Sequence, residues 1–255
     1  MFLQWKGKIM GTLPLWVLVL TGLIGTTATI CAMLFRGALA AGFGRGSAVR
    51  VAGGFVILWS AWVLVSLLLA GADLYRFAAT RPVPLLPIAL MGSLGVALLL
   101  TRVPAVQRIL SQPEALWRLT LPQIFRVVGV TFLVAMALGK LPAVFALPAG
   151  LGDMAIGVEA VFVARNLRRG IVDRRAMWFN VLGLADLVVA IGIGYAAAPG
   201  VVRLLLVSPS TEAISLLPLV LIPATVVPLA SALHLLSLRK LLATAPIAAA
   251  AGSAL

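Results

Sequence analysis

Six side chains in the second half of this 255-residue sequence are of types that bind or move charge: Arg126, Asp153, Glu159, Asn180, Asp186 and His234. Carboxyls beside a guanidinium can exchange protons or hold a cation. The guanidinium can clamp an anionic group, and an imidazole next to an amide can relay a proton. All six fall within long apolar runs, where an ionisable side chain costs about 2.5–3.5 kcal/mol on insertion scales and so turns toward partners. With the three carboxyls ionised, Arg126 protonated and His234 neutral, the group carries a formal charge of −2. Buried, that excess has to be relieved by protonation, by a charged His234 or by a bound cation.

The elements that position these residues follow from composition. Hydrophobic residues make up 62% of the chain and charged residues 11%, with a mean hydropathy of +1.15. Soluble domains run near 45–50% apolar and about 25% charged, so this chain lacks the polar surface to coat a globule. It reads as an all-α, polytopic transmembrane bundle in a single domain over 1–241. Apolar runs long enough to cross about 30 Å of hydrocarbon fall at 13–35, 51–72, 83–101, 119–139, 142–164, 176–196 and 214–238. That makes seven spans, with the lipid bilayer as the principal partner. Between spans 3 and 4, residues 103–118 read as a short interfacial helix broken at Pro113. The Ala-rich tail at 242–255 reads as unordered.

The charge balance sets the orientation. Twenty Lys+Arg oppose seven Asp+Glu, a formal net charge of +13. On a soluble chain this would suggest nucleic acid, but here the basic residues sit between spans as topology signals. One set of compartments holds Lys6, Lys8, Arg76, Arg81, Lys140 and Arg203. The other holds Arg36, Arg45, Arg50, Arg102, Arg108, Arg118, Arg165, Arg168, Arg169, Arg174, Arg175, Arg239 and Lys240. The richer side should be cytoplasmic, which places the N-terminus outside and the C-terminus inside. Lys6 and Lys8 before an apolar run ending near Cys31-Ala32 also fit a cleavable signal peptide, but cleavage would invert every later loop against this asymmetry. Asp73 beside Arg76 reads as a surface pair.

Depth along the spans then brings the six residues together. Spans 5 and 6 form a hairpin, so Asp153 matches Asp186 near the midplane and Glu159 matches Asn180 nearer the cytoplasmic boundary, with Arg126 between the two levels. His234 falls beside Glu159 and Asn180. Gly150-Leu151-Gly152-Asp153 is echoed 33 residues later by Gly183-Leu184-Ala185-Asp186. The echo reads either as a relic of inverted symmetry around a midplane site or as coincidence between Gly/Leu-rich helices. Pro148, Pro218, Pro223 and Pro228, if interior to their spans, free backbone carbonyls and bend the helices beside the cluster.

Several chemistries lack their residues. Span 7 has no deep lysine for a retinal Schiff base. One histidine and one cysteine are too few for a metal site or a disulfide framework. Ser231 and His234 lie one turn apart without a nucleophile loop. No cofactor, metal or catalytic residue is assigned, and the chain does not read as an enzyme. Gly150-Leu151-Gly152-Asp153 resembles the GxGD motif of the presenilin and signal-peptide-peptidase class. That resemblance implies intramembrane aspartyl proteolysis with Asp186 as partner, but in that class the partner aspartate precedes the motif, where this chain has Arg126. The later Pro-Ala-Leu motif of that class is replaced here by Pro223-Ala224-Thr225.

The runs QIFRVVGVTFL, LPAVFALPAGLGD, WFNVLGLADLVVA and LIPATVVPLASALHL, over residues 120–240, are similar to a group of bacterial polytopic inner-membrane proteins. This resemblance implies an inner-membrane, multi-pass location and supplies no activity. The residues themselves point to a membrane protein that binds or transports a small solute, with proton or cation linkage through the cluster. In that reading Arg126 holds an anionic group or locks the carboxylates, Asp153 and Asp186 exchange protons or a cation, and Glu159 and His234 form a cytoplasmic relay. The alternatives are a scaffold whose polar network only fixes helix registry, and the GxGD-like protease. For the orientation, reporter fusions after Arg169 and after Ala198 are expected to report cytoplasm and exterior respectively, and the opposite pattern would overturn it.

Overall fold

The computed structural model describes residues 12–77, 85–200 and 203–252. Lys6, Lys8 and Arg81, which enter the charge count, lie outside the described residues. The architecture is all-α. Helix α1 (Leu13–Ala40) opens with proline in its first turn, where a missing N–H costs nothing. Gly42, at φ +82°, makes the turn into α2 (Arg45–Gly71). Most of α2 faces outward with Ile57, Leu64 and Leu68 exposed, as lipid contact requires.

Helix α3 (Leu85–Leu100) has 16 residues, about 24 Å at 1.5 Å per residue, short of a full crossing. It bends by 78° into α4 (Pro104–Ser111). Pro104 sets that break, because the residue before a proline is pushed to extended backbone and Val103 is so disposed. The stretch expected as the third span is therefore a bent pair, either a broken span or a re-entrant element. The candidate membrane helices number six, or seven with the pair as one span, among the described residues.

The interfacial helix expected at 103–118 divides differently. Only α4 precedes the break, and α5 (Ala115–Thr120), with Trp117 and buried Arg118, already begins the fourth span. That span continues through a 3₁₀ segment (Leu121–Gly129) into α6 (Val130–Ala137). Helices α7 (Ala143–Arg168) and α8 (Arg174–Ala196) follow as the expected hairpin. The Asp173 carboxylate caps α8 by accepting from the Ala176 N–H at 3.2 Å.

The last span starts later than the hydropathy suggests. Residues 211–215 form a short 3₁₀ turn, 222–226 a π turn, and regular α9 runs Val227–Gly252. Pro218, Pro223 and Pro228 are the physical reason, since none can donate to a helical ladder. Pro228 offers no N–H to the Ala224 carbonyl four residues before it, and the Trp62 indole Nε1 of α2 donates to that carbonyl at 2.9 Å. At the other end α9 continues to Gly252.

Side-chain bonds gather the helix ends into two groups. Arg76 Nε donates to Glu212 Oε1 at 2.8 Å, joining the end of α2 to the stretch before the π turn. Arg76 thus takes Glu212 as its ion-pair partner instead of the expected Asp73, and the Glu212 carboxylate raises its pKa above the ordinary arginine value, with a smaller contribution from Asp73. On the opposite group of ends, Lys240 Nζ donates to Leu110 O at 2.8 Å and to Ser111 O at 3.3 Å, joining the end of α4 to the middle of α9.

The Trp62 bond yields a measurable expectation. Trp62→Phe leaves a buried carbonyl without its donor and should lower stability by about 1–3 kcal/mol. Trp178→Phe, at a ring 60% exposed, should leave the melting temperature in detergent micelles unchanged. Equal effects of the two substitutions would contradict the role given to Trp62.

Candidate polar centre

The 3₁₀ winding of Leu121–Gly129 places the central charge. A 3₁₀ helix turns 120° per residue, so side chains three apart eclipse. Gln123, Arg126 and Gly129 stand at such spacing and are all buried, together with Pro122. In an α-helix the first and last of these would point about 120° apart. Gln123 Nε2 donates to Ala230 O of α9 at 3.0 Å, tying the start of the line to the last helix.

Arg126 reaches three helices from this line. Nε donates to Asp153 Oδ1 of α7 at 2.7 Å, and Nη2 donates to Asp186 Oδ2 of α8. Nη1 donates to Gly183 O at 3.2 Å and meets His234 Nε2 of α9 at 3.0 Å. Nε and Nη2 form the edge of the guanidinium that ordinarily grips both oxygens of one carboxylate. Here that edge is divided between two aspartates, which brings their carboxylates side by side.

The protonation of His234 follows from its neighbours. A guanidinium only donates, so Nε2 accepts and the ring is the neutral Nδ1–H tautomer. Nδ1–H in turn donates to Asn180 Oδ1 at 2.9 Å, and Asn180 Nδ2 donates to Ala176 O at 2.8 Å. Arg126, His234 and Asn180 are buried, and the two aspartate side chains are each 15% exposed.

Glycine makes the approach possible. A Cβ on Gly152 would collide with the Asp186 carboxylate, one on Gly183 with the His234 ring, and one on Gly129 with the Asp153 side chain. A Cβ on Gly157 would lie 2.5 Å from the Val127 nitrogen, so α7 also meets the backbone of the 3₁₀ segment. Within the sequence echo, Gly152 receives the aspartate of the second quartet and Gly183 receives a histidine. At the equivalent first positions Gly150 meets the Leu133 side chain and Gly183 the His234 ring, while the aspartates of both quartets bind Arg126.

Five of the six residues singled out by type and depth come together: Arg126, Asp153, Asn180, Asp186 and His234. Glu159 does not. Its carboxylate is gripped by the Arg175 guanidinium, with one bond at 2.8 Å, on a part of the surface where the arginine side chain is 48% exposed. Depth along α7 does place Glu159 near Asn180, but the helix turns it toward the start of α8 and its basic pair. The group is left with one guanidinium and two carboxylates, a formal −1 when all are ionised in place of the expected −2.

Gln123 and the Gly183 carbonyl join the site without being marked by residue type and depth. The only signal for the first is the three-residue spacing to Arg126, which acquires meaning once the segment is known to be 3₁₀. Beside Arg126 and Asp153 lies a cavity of about 40 Å³, walled by Gly22 of α1, Phe125 and Gly129 of the 3₁₀ segment, and Ile222 and Val226 of the π turn. A void of that size holds a water-sized species. Among the described residues no cluster of ligating side chains fits a metal ion.

A family model described as a domain of unknown function (DUF8737) matches residues 83–242, which is 160 of the 255 residues. The match takes in every residue of the polar centre and begins a full span earlier than the similarity noted over residues 120–240. No curated protein and no solved structure matches the chain.

Close packing at the centre is open to test by small substitutions. Gly152→Ala and Gly183→Ala should each cost about 1–3 kcal/mol by overpacking, while Gly92→Ala, with open space around it, should not destabilise. Glu159→Gln removes an exposed pair and should change stability by less than about 1 kcal/mol. Thermal unfolding of the four variants in one detergent decides these expectations.

Proposed function

The chain belongs to the DUF8737 family, whose description assigns no activity, and we propose a function from the geometry: a multi-pass membrane protein that binds or carries a small solute through proton or cation exchange at Asp153 and Asp186. One observation supports this reading above the others. Two carboxylates share a single guanidinium edge inside a membrane bundle, beside a cavity of about 40 Å³. With both ionised, the group is one positive charge short of neutral, and the cavity admits a proton on water or a bare ion but no larger solute. The expectation of a small solute thereby narrows, for this conformation, to a proton or a small cation. Arg126 is the fixed counter-charge, and His234 with Asn180 holds it in place by a chain of hydrogen bonds.

A second reading, the structural lock, rests on a different observation: four of the five N–H bonds of Arg126 find acceptors within the protein. A network so complete can hold α7, α8 and α9 in register without exchanging anything. The protease reading draws no comparable support, since both aspartates are engaged by Arg126 and the adjoining cavity cannot take a peptide.

Purified protein in liposomes, under an imposed pH gradient with sodium or potassium present, separates the first two. Proton movement read by an internal pH dye should exceed that of empty liposomes. It should fall at least tenfold in Asp153→Asn and in Asp186→Asn, with helical content retained. Flux equal to that of empty vesicles, or unchanged in both variants, would reject the carrier reading. The structural lock instead predicts that these substitutions, and Arg126→Gln, act on stability alone, the last by about 3–5 kcal/mol because it leaves buried carboxylates without their counter-charge.

A further inference from the structure

We propose that the 3₁₀ segment Leu121–Gly129 is a winding switch: proton uptake by Asp153 and Asp186 frees Arg126, and the segment relaxes to α-helix and turns the guanidinium away from the pair. This rests on the reading of the aspartates as proton-exchanging groups.

Nine consecutive residues of 3₁₀ helix are uncommon, since such runs rarely exceed three or four residues and their hydrogen bonds are poorer than those of an α-helix. The segment has α-helix on both sides, α5 and α6, so continuing that winding is its natural alternative. The contacts that favour the 3₁₀ form are the ones that need Gln123, Arg126 and Gly129 on one line. Gln123 reaches Ala230 O, Arg126 reaches the two aspartates, and Gly129 receives the Asp153 side chain.

The charged and titratable groups facing Arg126 are Asp153 from α7, Asp186 from α8 and His234 from α9, while α1 presents Val19 and Gly22 across the cavity. When each aspartate binds a proton, the charge that holds the guanidinium is lost. Rewinding by 20° per residue from Pro122 turns Arg126 by about 80°, and the loss of 0.5 Å of rise per residue shortens the segment by about 4.5 Å. A water-sized cavity adjoins the segment. The cavity is bounded by Phe125, Arg126, Val128 and Gly129 of the segment and by the π turn opposite, whose ladder is already relaxed by prolines.

The shortening can be read by pulsed electron spin resonance on the full chain in lipid nanodiscs. Spin labels would be placed at Pro113→Cys and Leu138→Cys, both exposed and flanking the segment, in a Cys31→Ser background. The label distance should shorten by about 4.5 Å in the parent between neutral and acid pH, and by the same amount at neutral pH in the Asp153→Asn/Asp186→Asn double variant. A distance constant to within about 1 Å in either comparison overturns the proposal. If the double variant does not fold, Asp153→Asn alone with the parent's pH titration decides, and a shift absent from either again overturns it. The liposome assay keeps the two ideas apart. Proton flux with a fixed label distance sinks the switch and leaves the carrier standing, whereas shortening without flux sinks the carrier and leaves the switch.

Discussion

An arginine stays charged in any protein environment, so a bundle that buries one must bring counter-charges to it from other helices. Arg126 imposes that requirement here, from a segment that is itself wound as 3₁₀ helix. The carboxylates come from α7 and α8, the imidazole and its amide support from α9 and α8, and a backbone carbonyl from α8. In lipid the hydrophobic effect does not press helices together, because the surrounding chains are as apolar as leucine. The polar bonds and the close van der Waals contacts around them therefore specify how spans 4 to 7 pack.

Close contact and charge pairing are one arrangement. Three polar side chains of the centre rest against positions where the neighbouring segment has no Cβ: Asp186 on Gly152, His234 on Gly183, Asp153 on Gly129. Larger residues would hold the helices apart and lengthen the bonds to Arg126. The same glycines, read from sequence alone, suggest generic small-residue packing. In place they are the seats of particular side chains.

Backbone irregularity is confined to where the protein can satisfy it. Non-helical winding at membrane depth is tolerated only when buried in protein or lining a cavity. The 3₁₀ segment and the π turn meet this condition by facing each other across the small void, with the Trp62 indole serving the Ala224 carbonyl. Helix α2, largely outward-facing and free of proline, is regular throughout.

Class, number of spans and the membership of the polar centre were largely legible in the sequence, because hydropathy and the cost of burying charge are properties of residue types. Hydrophobic runs place the spans, proline spacing marks the irregular last span, and matched depth on a hairpin pairs Asp153 with Asp186. Rotation about each helix axis was not legible. Depth put Glu159 in the centre, yet the turn of α7 sends it to Arg175. The α-helical period gives no reason to join Gln123, Arg126 and Gly129, yet the 3₁₀ winding puts them in one line. The bend at Pro104, too, divides a span that hydropathy reads as whole. Sequence determines which residues must find partners and at what depth. Winding and helix rotation, which decide which partners they find, depend on contacts between segments far apart in the chain and exist only in the folded bundle.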